Sequence, residues 1–121
     1  MTVENMPALL HVRTTSAGAA AVSVSVTGEL DVSNSAWLRG WIVDTVDRWQ
    51  PAGLTLDLGG THFIDVAGVR TLYEVHAAAR ARGFLLDVTV AHPAVRLTLD
   101  RLGLNPEFLT RPGESAIRRC A

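Results

Sequence analysis

Between Ala21 and Thr27 the chain alternates strictly, with Val22, Val24 and Val26 on one side and Ser23, Ser25 and Thr27 on the other. Successive side chains of a strand point to opposite faces, so this pattern predicts a half-buried β-strand. Leu54-Thr55-Leu56-Asp57-Leu58 predicts a second, with Asp57 facing outward. Leu9 to Arg13 and Phe84 to Val90 read as two more, and Phe108-Leu109 as a short last strand. Thr14 to Gly18 is small and polar, as a hairpin connection requires, and Gly59-Gly60-Thr61-His62 reads as a loop.

The period changes to that of a helix in three places. From Asn34 to Trp49, the residues Leu38, Trp41, Ile42, Thr45 and Trp49 form one stripe, flanked by Val46, with Trp37 off it. Ser33 suits the N-cap, and Gln50-Pro51 ends the helix because the residue before proline is pushed out of the α region. From Ala67 to Arg82, Val69, Leu72, Tyr73, His76 and Ala79 share a side. Arg70, Thr71 and Glu74 are left on the outer face, where Arg70 and Glu74 stand four apart as an ion pair would. Gly83 follows as a C′ glycine. His92-Pro93 opens a third helix with Val95, Leu99 and Leu102 as its apolar face and Gly103 as its end. Gly113 to Arg119 forms at most a short terminal helix.

Strands separated by single helices, after an opening hairpin, predict an α/β fold: a mixed sheet of about four to five strands with crossover helices packed on it. Sites on such sheets lie beyond the carboxyl ends of the strands, which selects the segments Gly28 to Ser33 and Gly59 to Gly68. Asp31 follows one strand and Asp65 precedes a helix, so parallel strands would bring both carboxylates to one end. Asp65 also suits a helix cap, complementing the dipole by about 0.3–1 kcal/mol.

Composition narrows the chemistry. In 121 residues, hydrophobic types make up 48% and charged types 19%, enough apolar material for one core. The apolar runs are far shorter than the roughly 20 residues of a membrane span, and no signal peptide is recognisable, so a cytoplasmic location is expected. The net charge is −1, which gives no field for nucleic acid. Every basic residue is arginine, so lysine Schiff-base chemistry and a P-loop lysine are excluded. Cys120 is the single cysteine and cannot form an internal disulfide. The histidines His11, His62, His76 and His92 form no ligand spacing, and no nucleophile–base pair assembles, so neither a metal, a cofactor nor an enzymatic activity is expected.

Val26-Thr27-Gly28-Glu29-Leu30-Asp31, together with Leu56-Asp57-Leu58 leading through Phe63-Ile64-Asp65-Val66-Ala67-Gly68-Val69 into a helix, resembles the STAS domain of bacterial anti-sigma factor antagonists. Arg80-Ala81-Arg82-Gly83 and His92-Pro93-Ala94-Val95 fit the same pattern. The resemblance runs from about Leu9 to Leu109. It assigns residues 8–110 to a single STAS-like domain and leaves 111–121 as a tail or short helix. It implies a non-enzymatic regulator whose partner is an anti-sigma factor with a kinase-like ATPase fold, bound through Asp31, Asp65, Val66, Ala67, Gly68 and Arg70. In the family the partner phosphorylates a hydroxyl residue just before the glycine of this turn and so ends binding. Here that position is Ala67, preceded by Val66, and neither can accept a phosphoryl group. Ser33, Ser35 and Thr61 are the nearby alternatives. Other uses of such a domain are docking on an ABC-type ATPase in lipid transport and a scaffold role in a larger STAS assembly; a homodimer is compatible with any of these.

Overall fold

The computed structural model describes residues 9–18, 20–90 and 92–110. The elements run β1 (Leu10–Ala17), β2 (Ala21–Leu30), α1 (Ser35–Trp49), β3 (Gly53–Ile64), α2 (Val66–Arg82), β4 (Leu85–Thr89), α3 (Pro93–Arg101) and β5 (Leu109–Thr110). The five strands form one sheet in sequence order. β1 is antiparallel to β2, and every later pairing is parallel. The sheet is therefore mixed, as the hairpin followed by strand–helix alternation predicted.

The period-two positions supply the core. Val22, Val24 and Val26 of β2, Leu54, Leu56 and Leu58 of β3, and Val88 of β4 are at most 1% exposed. They join Leu38 and Ile42 of α1, Val69 and Leu72 of α2, and Val95 and Leu99 of α3 in one buried cluster. A fully buried aliphatic side chain of this kind contributes roughly 1.5–3 kcal/mol relative to exposure.

The structure corrects several expectations. Thr14 to Ala17 continues β1 instead of forming a connection. Gly59 to His62 is strand, because β3 carries two extra residues opposite β2: Ser25 pairs with Asp57 but Thr27 with Gly60, and Gly28 with Thr61 but Glu29 with Phe63. Each bulge adds a residue and re-aims those that follow. The inward positions of β3 become Leu58, Thr61 and Ile64, all 2% exposed or less. Thr61 is tolerated there because its hydroxyl donates to the Val26 carbonyl at 2.8 Å.

Trp49 and Leu102, expected in apolar stripes, are 45% and 42% exposed because each stands at a helix end, beyond the covering layer. Thr71, expected outside, is buried against the core, and Glu74 pairs with Arg39 of α1 at 3.7 Å rather than with Arg70. Gly83 does adopt the left-handed conformation, with φ 75°, and Gln50 does so before Pro51 with φ 45°. The tail expected from 111 onward lies outside the described residues.

Candidate functional site

β2 and β3 end side by side, with Leu30 in register with Ile64. The two turns that leave them share the carboxyl end of the parallel strands, where the sequence placed Asp31 and Asp65. The β2–α1 turn is held by Asn34, which is 1% exposed. Its side-chain oxygen accepts from the Asp31 N–H at 3.0 Å, and its amide donates to the Glu29 carbonyl at 2.8 Å. Asn34, not Ser33, occupies the N-cap position of α1, and its side chain is directed into the turn rather than onto the helix. Ser33 is displaced from that role because its N–H and hydroxyl both donate to the Asp31 carboxylate.

The β3–α2 turn is organised by Asp65. One carboxylate oxygen accepts from Gly68 N–H at 2.9 Å, the cap expected from sequence. The other accepts from Val32 N–H at 3.1 Å, across the gap between the turns. The Asp65 N–H donates to the Leu30 carbonyl at 3.2 Å. Asp31 and Asp65 thus meet at one end, but each is committed to backbone donors in the turns. Among the described residues no cluster of three or more metal-ligating side chains forms there or elsewhere.

Gly68 explains how closely the turns approach. A Cβ at this position would lie 2.7 Å from both the Leu30 carbonyl oxygen and Ile64 Cγ1. Only glycine lets the first turn of α2 rest on the ends of β2 and β3.

Three large apolar side chains are exposed in and beside these turns. Val32 is 76% exposed, Val66 57% and Phe63 45%. Val32 and Val66 flank the hydrogen bonds made by Asp65, and Phe63 lies two residues before it. Sequence reasoning had named Val66 but missed Val32 and Phe63. Phe63 precedes the buried Ile64 in an apolar pair, and the bulge near the end of β3 turns it outward. Ala67 is partly covered, and Arg70 is exposed one turn further along α2. Of the hydroxyls near the turn, Ser33 is exposed, whereas Ser35 and Thr61 are buried.

The STAS domain model matches residues 12–117. The chain belongs to the STAS domain family. A comparison with curated proteins finds no match. Among solved structures, this STAS domain is similar to an anti-sigma factor antagonist from Mycobacterium paratuberculosis, with a TM-score of 0.70 at 23% identity over 91% of this chain and 93% of that one. It is similar to the anti-sigma factor antagonist SpoIIAA in its unphosphorylated form, with a TM-score of 0.67 at 16% identity over 92% of each chain. A sulfate transporter family protein from Wolinella succinogenes follows, with a TM-score of 0.61 at 19% identity over 78% of this chain and 80% of that one. At these identities the likeness is one of fold, which anti-sigma factor antagonists share with a transporter-family protein. The five-stranded mixed sheet is the STAS fold. Among the described residues no helix is long and apolar enough to cross a membrane.

Proposed function

We propose that this STAS domain is a non-enzymatic regulator, an anti-sigma factor antagonist or close relative, that docks on an anti-sigma factor of kinase-like ATPase fold. The contact surface is the turn Asp65 to Gly68, with Asp31 supporting it from the neighbouring turn and Arg70 at its border. The observation that carries this reading is the exposed trio Val32, Phe63 and Val66 around a turn that Asp65 holds rigid. Exposed apolar side chains on a preorganised backbone suit a protein interface, because little ordering cost falls due on binding.

Ala67 gives the surface its second property. A phosphoryl group at this position would add about −1.5 to −2 charges beside Asp65 and oppose a packed interface. Alanine keeps roughly the size of the unmodified serine and accepts no phosphate. The domain is therefore permanently competent to bind, with its usual off-switch removed.

The test is binding to candidate kinase-fold anti-sigma factors by calorimetry, with intact mass measured after incubation with the same proteins and ATP. Binding without a mass increase is expected for the native chain. The Ala67→Ser variant is expected to gain one phosphate and then lose affinity. Co-purification with a P-loop ATPase instead of a kinase-fold protein would overturn the reading in favour of a transport accessory. A phosphate on native Ser33 would overturn the absence of a switch.

A further inference from the structure

The docking turn occupies one end of the sheet, and the sheet's edge is a separate feature. β1 is the outermost strand, and among the described residues nothing pairs with its outer side. An edge strand presents unpaired N–H and C=O groups, and folded proteins usually shorten, bulge, charge or cover such edges. Here a bulge between Thr14 and Ser16 interrupts the far half, while Leu10 to Thr14 keeps regular pairing with β2.

Beside this edge lies a groove of about 400 Å³ between β1 and α1, whose lining includes Val12, Arg13, Trp41, Asp44, Arg48 and Trp49. Trp49 is 45% exposed on its rim, and the Trp41 indole Nε1 is buried without a hydrogen-bond acceptor. An indole N–H normally finds a partner when buried, and among the described residues this one has none.

We infer that this edge is the interface of a homodimer, in which the β1 strands of two copies pair antiparallel across a two-fold axis and the two α1 helices close over the grooves. A two-fold interface must be complementary to itself. The α1 rim meets that requirement with Asp44 and Arg48, opposite charges one helical turn apart, so each can face its opposite on the second copy. The alternate β1 residues Leu10, Val12 and Thr14 are uncharged, and Arg13 is the charged β1 residue in the groove lining, which also holds Asp44. The inference rests on the edge and the groove, not on the docking turn, so the two readings stand or fall separately.

Sedimentation velocity of the full chain over a dilution series tests it, with Trp49 emission read in parallel. A concentration-dependent dimer is expected, with emission moving to shorter wavelength as Trp49 becomes covered. Asp44→Arg and Arg48→Asp are each expected to weaken the dimer by about tenfold or more, and the double exchange to restore it. Trp49→Glu should give a monomer with an unchanged circular dichroism melt. A monomer at every concentration reached, or a dimer indifferent to all four variants, overturns the inference.

Discussion

The Asp65 carboxylate accepts the backbone N–H of Val32, 33 residues upstream, at 3.1 Å. Its other oxygen caps α2 at Gly68. One side chain therefore fixes the head of a helix and the spacing between two turns. Asp65→Ala removes both bonds. The lost cap costs about 1 kcal/mol, and a bond to a charged acceptor adds about 1.5 kcal/mol. Asp65→Asn keeps one acceptor oxygen to cap α2 and should lose only the Val32 bond, about 1.5 kcal/mol. Urea denaturation of the three proteins measures the difference. An Asn variant as stable as the native chain would remove the Val32 bond from this account.

Two glycines inside helices should respond in opposite directions to the same substitution. Gly40 lies within α1, and a Cβ there meets nothing within 4 Å. Gly40→Ala is expected to stabilise the fold by about 0.5–1 kcal/mol, the helix propensity difference. Gly68→Ala gains a similar propensity but drives its methyl to 2.7 Å from a backbone oxygen. Overpacking of about 1–3 kcal/mol should outweigh the gain. Thermal melts that moved the same way for both would show that the turns are looser than this packing requires.

The difference between what the sequence revealed and what it hid follows from periodicity. Val22 to Val26 and Leu54 to Leu58 were legible because one face of a regular strand is buried at every second residue. Beyond Leu58 the buried positions are Thr61 and Ile64, three apart, so the alternation that identifies a strand is absent. Gly59-Gly60 then resembles a turn. The same bulges bring Asp65 beside Val32 and turn Phe63 outward, so the least readable segment is the one that builds the site. Asp65 itself was legible because capping is local. Asn34 was not, since its partners, Glu29 and Asp31, lie in a turn whose shape no local pattern specifies.

Thr61 offers a direct check on the bulged segment. It is fully buried, and its hydroxyl satisfies the Val26 carbonyl at 2.8 Å. Thr61→Val preserves shape and removes the donor, leaving a buried acceptor unpaired. A loss of about 1–3 kcal/mol is expected from equilibrium unfolding. Thr61→Ser keeps the donor but gives up a buried methyl, at about 1 kcal/mol. If valine proves no worse than serine, the carbonyl has another source of compensation.

Ala67→Glu separates stability from docking because it should move them in opposite directions. Ala67 is the second residue of α2, and the first turn of that helix carries no acidic side chain. A carboxylate near a helix N-terminus is favourable by about 0.3–1 kcal/mol, partly offset by repulsion from Asp65. The melting temperature should therefore hold or rise slightly. At the proposed interface the same charge must be desolvated beside Val66 and Asp65, as a phosphoryl group would be. Affinity for a kinase-fold partner should fall by about tenfold or more, an effect of roughly 1.4 kcal/mol. Val66→Asp, at a position 57% exposed, should weaken binding similarly while changing stability by less than about 0.5 kcal/mol. If either acidic variant binds as tightly as the native chain, the contact surface lies elsewhere, and the missing hydroxyl at position 67 has no bearing on when the domain binds.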